Sequence, residues 1–125
     1  MTNVVDSSGW IEYFENGGNA AFFAPIIEAA DALIVPTICI YEVFRRINLV
    51  QGEDVAVRAI GFMVTGVVVE LSQPIAISAA KISPQYKLAM ADSLILATAR
   101  EQGATLWTQD KHFRNLKRVK YFEKQ

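Results

Sequence analysis

Four carboxylates stand where they could act together. Asp6 follows directly on the apolar pair Val4-Val5, and Glu42 lies five residues past Thr37. Asp92 is the only charge in the run Leu88–Leu96, and Asp110 closes the stretch Trp107-Thr108-Gln109-Asp110. Each has an ordinary reading. Asp6 and Asp92 are residues that cap helices by accepting bonds from free backbone N–H groups. Glu42 is spaced to pair with Arg45 or Arg46 along a helix, and Asp110 is a common turn residue. Asp92 resists this treatment most, because a carboxylate flanked on both sides by apolar residues is expensive to desolvate unless bonded or paired. If the four acids converge, their repulsion raises some of their pKa values, and a divalent cation relieves it. Oxygen-only ligands suit Mg²⁺ or Mn²⁺ better than zinc. Such an ion keeps several waters, leaving room for a phosphate oxygen and a nucleophilic water. The chemistry implied is hydrolysis of a phosphodiester by metal-activated water, with acid–base work falling to a spare carboxylate.

The rest of the composition narrows the alternatives. The chain has 125 residues, 52% of them hydrophobic, and a net charge of −1, which fits one domain spanning residues 1–125 and excludes a disordered chain. One histidine, His112, leaves no zinc cluster and disfavours a metal-free histidine ribonuclease mechanism. The lone Cys39 sits among Ile38, Ile40 and Val43 and reads as a small core residue in a reducing compartment. The run Ile60–Val69, broken by Gly61, Thr65 and Gly66, is too short to span a membrane, and the first residues lack the basic start of a secretory signal. We therefore expect a soluble cytoplasmic protein.

Charge is unevenly spread. Residues 1–80 carry nine acids and three bases, whereas residues 81–125 carry four acids and nine bases. A basic C-terminal third could steer a polyanion, although a solvated basic surface is the plainer reading. Lys87 and Lys111 are candidate phosphate contacts on the same footing. Trp10, Tyr13 and Phe14 could stack on bases, but their three- and four-residue spacing reads first as a core-facing stripe.

Apolar runs alternate with helical patterns, which places these residues on elements. Short strands are expected at Val4-Val5, Ala32–Val35, Val67–Leu71 and Ala104–Trp107, with a fifth at an edge over Val119–Phe122. Helices are expected over Gly9–Glu15, over Asn19–Ala30 with Pro25 bending or dividing it, and over Thr37–Leu49. Others follow over Glu53–Val64, after Ser72-Gln73-Pro74, and over Ala91–Gln102 before Gly103. This order implies an α/β fold with a mostly parallel sheet of four to five strands covered on both faces. In such sheets ligands bind beyond the C-terminal ends of the strands, which is where these acids fall.

The segments Val4-Val5-Asp6-Ser7-Ser8, Ile40-Tyr41-Glu42-Val43, Ala91–Ala99 and Gly103–Phe113 together resemble the PIN domain, and within it the VapC-type toxin ribonucleases of toxin–antitoxin pairs. The resemblance runs almost end to end, and its last two segments are the specific ones. It implies a three-layer α/β/α sandwich and an endoribonuclease dependent on Mg²⁺ or Mn²⁺. Position by position, Asp6, Glu42, Asp92 and Asp110 match the acidic quartet, with Asp6, Asp92 and Asp110 as metal ligands. Ser7 matches the hydroxyl after the first acid, and Thr108 a hydroxyl that supports the fourth. His112 stands where many relatives carry another acid. The resemblance further implies an RNA substrate, a homodimer, and a small cognate antitoxin that blocks the acidic pocket.

Two other functions remain open from the residues. Asp6 could be a phosphoryl-accepting nucleophile, but no acid follows it before Glu12. Alternatively, the chain could be a non-catalytic α/β binding module whose acids only cap helices and pair with bases.

Overall fold

Extended β-branched residues and well-marked helix starts set the architecture. The computed structural model describes all 125 residues, Met1–Gln125. The strands are β1 (Asn3–Val5), β2 (Leu33–Pro36), β3 (Val67–Val69), β4 (Thr105–Thr108) and β5 (Val119–Tyr121). They form one sheet in the order β3-β2-β1-β4-β5, and every pairing is parallel. Six helices flank the sheet, giving the expected α/β/α sandwich: α1 (Ser7–Phe14), α2 (Ala20–Ile27), α3 (Thr37–Gln51), α4 (Glu53–Met63), α5 (Gln73–Tyr86) and α6 (Met90–Glu101). Short 3₁₀ turns occupy Ala30–Ala32 and Lys111–Phe113. No helix is long and apolar enough to cross a membrane.

Local chemistry explains several of the element ends. Asp6 caps α1 by accepting from the Gly9 backbone N–H, and Ser72 caps α5 by accepting from that of Ile75. Gly52, at φ 94°, ends α3 in a conformation few other residues reach. The helix expected over Asn19–Ala30 is shorter: it stops at Ile27 and passes into the 3₁₀ turn, while Pro25 remains inside it. The third strand also stops early. Glu70 and Leu71 lie outside the ladder, because β3 is an edge strand paired only with β2 over Ile34–Pro36.

The core is a continuous apolar layer on β1, β2 and β4, closed by residues such as Phe23, Ile27, Val43, Ile47, Met63, Ile75 and Leu96. Trp10 is buried in it beside Phe14, so the aromatic stripe of α1 faces inward as its spacing predicts. Cys39 is fully buried and its thiol is pushed up chiefly by that burial, consistent with a core residue.

Gly9 shows how tightly α1 seats on the sheet. A Cβ placed there would stand 2.6 Å from Val5 Cγ1 and 2.7 Å from Phe23 Cε1, both on fully buried side chains. Gly9→Ala is expected to lower stability by about 1–3 kcal/mol despite the better helix propensity of alanine, because overpacking outweighs it. Chemical denaturation checks this, read as a lower midpoint with unchanged slope.

Candidate active site

The sheet order creates the site. The chain runs from β1 outward through β2 to β3, then crosses back to lay β4 on the other side of β1. The crevice at that reversal, beyond the C-terminal ends of β1 and β4, is where ligands bind in open α/β sheets. Asp6 leaves the end of β1, and Asp110 follows β4 by two residues. Glu42 projects from the second turn of α3, and Asp92 from the first turn of α6. All four acids line one cleft of about 530 Å³, together with Ser7, Ser8, Ile11, Tyr41, Arg45 and Arg46.

The four carboxylates are held in different ways. Asp6 is 2% exposed, and both of its oxygens are engaged. Oδ1 accepts from the Gly9 N–H at 3.0 Å, Oδ2 accepts from Thr108 Oγ1 at 2.7 Å, and the Ser8 hydroxyl lies 2.9 Å from each. Asp6 is therefore a helix cap and a cleft residue at once. Burial nevertheless pushes its carboxyl up to about 7, with Asp110 adding to the rise and the three hydrogen-bond donors opposing it. Glu42 Oε1 accepts from Ser7 Oγ at 2.6 Å. It does not pair with the neighbouring arginines of α3, because Arg46 Nε reaches Glu15 instead, at 3.1 Å.

Asp92 has no cap role, since the N-cap of α6 is Ala89 and no side chain caps that helix. Its carboxylate accepts no hydrogen bond from the protein, and desolvation pushes it up to about 6, with Asp110 and Glu42 adding to the rise and His112 opposing it. Asp110 starts the 3₁₀ turn, its Oδ1 accepting from the His112 backbone N–H at 2.9 Å. The Nδ1 of the same histidine lies 2.7 Å from that oxygen.

Thr108 has a wider role than support of the fourth acid. Its hydroxyl donates to Asp6 and accepts from the Asp110 backbone N–H at 2.9 Å, so one buried side chain ties the two strand ends together. Arg45 and Arg46 are cleft residues that a pairwise reading of α3 misses. They stand three and four residues past Glu42, hence on its face of the helix, and that spacing was the available signal. Lys87 is the left-handed C-cap of α5 and lies outside the cleft. Lys111 lines an adjoining groove that shares Ser8 and Asp110 with it.

Comparison with known proteins identifies the family and the fold. The PIN domain family model matches residues 4–119. The chain belongs to the PIN domain family. Among solved structures, this PIN domain is similar to a toxin–antitoxin complex from Klebsiella pneumoniae, with a TM-score of 0.81 at 26% identity, covering 98% of this chain and 99% of that one. It shares its fold with VapBC2 from Rickettsia felis bound to a promoter DNA fragment, with a TM-score of 0.77 at 10% identity, covering 98% and 100% of the two chains. It also shares it with Mycobacterium tuberculosis VapC20, described as a sarcin-ricin loop cleaving toxin, with a TM-score of 0.72 at 16% identity, covering 90% and 92%. Comparison with curated protein sequences gave no match.

The donor set suits a hard divalent cation. Asp92, Asp110 and His112 each offer one ligand atom, all within 4.8 Å of one another, and Asp6 and Glu42 line the same cleft. Without a cation the raised carboxyls have a thermodynamic consequence. Asp6 and Asp92 retain protons to higher pH folded than unfolded, where each titrates near its ordinary 3.8. The folded state therefore binds more protons between about pH 4 and 7, and stability falls as pH rises through that window. The EDTA-treated PIN domain is expected to melt higher at pH 5 than at pH 7.5, by on the order of 5 °C. Asp6→Asn should remove most of that slope, and Mn²⁺ should raise the melting temperature more at pH 7.5 than at pH 5. Calorimetric scans across pH, with and without the ion, measure both.

Proposed function

We propose that this PIN domain is a divalent-metal-dependent endoribonuclease, the toxin of a toxin–antitoxin pair. The observation that carries the reading is the gathering of Asp6, Glu42, Asp92 and Asp110 into one cleft, with Asp6 and Asp92 both raised. Neither carboxylate is comfortable as a free anion, which is the expected state of a site built around a cation. Mg²⁺ or Mn²⁺ bound there would supply electrophilic stabilisation of a phosphodiester and a water acidic enough to attack it.

The residues of the chain divide that work. Asp92 and Asp110 present free carboxylate oxygens to the cleft and would hold the ion. Asp6 would join them from the floor, its position fixed by Thr108 and the start of α1. The Ser8 hydroxyl, shared between both Asp6 oxygens, can turn aside without disturbing the helix cap. Glu42, held by Ser7, has its second oxygen free to accept a proton or orient water from the α3 wall. Arg45 lines the cleft and supplies positive charge for phosphates next to the scissile one, with Arg46 beside it and paired to Glu15. Asp6 is held in place by the Gly9 N–H and the Thr108 hydroxyl, which suits a fixed ligand better than a nucleophile that must form and release a covalent bond.

A protein partner has a place to bind. An apolar groove of about 590 Å³ between α3 and α4, lined by Ile40, Phe44, Val57 and Ile60, meets the acid cleft at Tyr41 and Arg45. Tyr41 and Val57 are 62% and 55% exposed, so this groove leaves apolar surface uncovered. A cognate antitoxin lying there would reach the carboxylates, and the similar structure from K. pneumoniae is itself a toxin–antitoxin complex. A homodimer is part of the same reading, as is residence in the cytoplasm with the RNA it cuts.

Asp6→Asn and Asp92→Asn test the proposal directly. Each is expected to reduce cleavage of a mixed RNA pool by at least about a hundredfold while circular dichroism stays native, since each removes a charge the ion depends on. Full activity in either purified variant, with contaminating nuclease excluded, would overturn the assignment.

A further inference from the structure

The unfilled donor atoms of the cleft are not spread evenly. Both oxygens of Asp6 are engaged, and Glu42 has one oxygen committed to Ser7. Asp92 accepts no hydrogen bond from the protein, and Asp110 Oδ2 is likewise free. Next to these open oxygens stands an imidazole, His112, whose side chain is 62% exposed and whose Nδ1 approaches Asp110 Oδ1 to 2.7 Å. The 3₁₀ turn holds it there, because the His112 backbone N–H is itself bonded to Asp110.

We propose that His112 is a nitrogen ligand of an outer cation position shared with Asp92 and Asp110, and that this mixed donor set makes the chain favour Mn²⁺ over Mg²⁺. The inference rests on the nuclease reading above and adds the identity of the preferred ion.

Distance and chemistry both support it. Two ligands at right angles on one octahedral ion, each about 2.1–2.2 Å from it, stand roughly 3 Å apart. The Nδ1 and Oδ1 atoms are already at 2.7 Å, so an ion replaces their hydrogen bond with only a small widening of the pair. That requires the neutral tautomer with its proton on Nε2, facing water. Mg²⁺ favours an all-oxygen shell and parts with its waters reluctantly, whereas imidazole is a good ligand for transition ions and Mn²⁺ also accepts carboxylates. A third carboxylate at position 112 would favour Mg²⁺; a histidine tilts the site the other way.

A competing role is that His112 only orients Asp110 through the observed contact. An orienting residue strengthens or weakens the binding of both ions together, whereas a ligand discriminates between them. The test uses the full chain loaded with Mn²⁺ and pulsed electron paramagnetic resonance, which detects a nitrogen bound to the ion. Wild type is expected to show ¹⁴N modulation that is lost in His112→Ala. By calorimetry, His112→Ala should weaken Mn²⁺ about tenfold or more while changing Mg²⁺ no more than about twofold. His112→Asp should bind Mg²⁺ more tightly than wild type and lose the Mn²⁺ preference. Absence of nitrogen modulation in wild type, or equal weakening of both ions in His112→Ala, overturns the proposal. Asp92→Asn keeps the two failures apart: if it abolishes binding of both ions while His112→Ala changes nothing, the acids hold the metal and only the role of His112 falls.

Discussion

Negative charge gathered at the carboxyl end of a parallel sheet is the constraint on which the structure turns. Backbone pairing of β1 with β4 puts Asp6 and Asp110 on neighbouring strand ends, and α3 and α6 add Glu42 and Asp92 to the same cleft. Burial raises Asp6 and Asp92, and the neighbouring acids add to the rise, Asp110 for Asp6 and Asp110 with Glu42 for Asp92. Three kinds of compensation are open to such a site: protonation, hydrogen bonds and a cation. The fold provides the second for Asp6 and leaves Asp92 dependent on the first or third.

That division explains why the acids are not equivalent. Asp6 is made part of the framework: it caps α1 and is tied through Thr108 to the loop after β4. A buried donor or acceptor left unsatisfied costs about 1–3 kcal/mol, so a side chain that serves both strand ends fixes their separation. Asp92 sits in the first turn of α6, where the helix dipole favours negative charge, but nothing bonds to it. Its side chain stays available to a ligand because no structural task uses it. Rigid floor and open wall thus come from residues of one chemical type, distinguished only by their partners.

Much of this was legible in the sequence, and the residues show why. Asp6 and Asp110 announce themselves as acids just past β-branched runs, since the rule that ligands sit beyond strand ends needs only element order. Asp92 is conspicuous through its apolar neighbours. The fold class follows from alternation of strand and helix patterns, and the structure makes the sheet wholly parallel. The partners that sequence leaves open share a cause: they depend on which groups meet across the sheet. Arg46 has the spacing to pair with Glu42, yet α1 brings Glu15 to it. Thr108 accepts from the backbone of Asp110, two residues on, and its hydroxyl also donates to Asp6, 102 positions earlier. Local periodicity carries no information about such partners. Nor does it foresee Pro84 within α5, which is accommodated near the end of that helix.

The uneven charge along the chain acquires a spatial meaning at the cleft. Three of its acids come from the acidic or apolar stretches before α6 ends, while the strands and loops after α6 bring bases beside them. A polyanion approaching four carboxylates meets repulsion unless positive charge stands closer to its flanking phosphates than the acids do. Arg45 and Arg46 occupy one side of the cleft. On the other, the groove lined by Lys111, Tyr121, Glu123 and Lys124 joins it at Ser8 and Asp110. A cation held among the carboxylates would lower the repulsion that a phosphate chain meets there, with Arg45 on one side and Lys111 and Lys124 on the other. Metal occupancy would then control substrate approach as well as chemistry, because both depend on the same few charges.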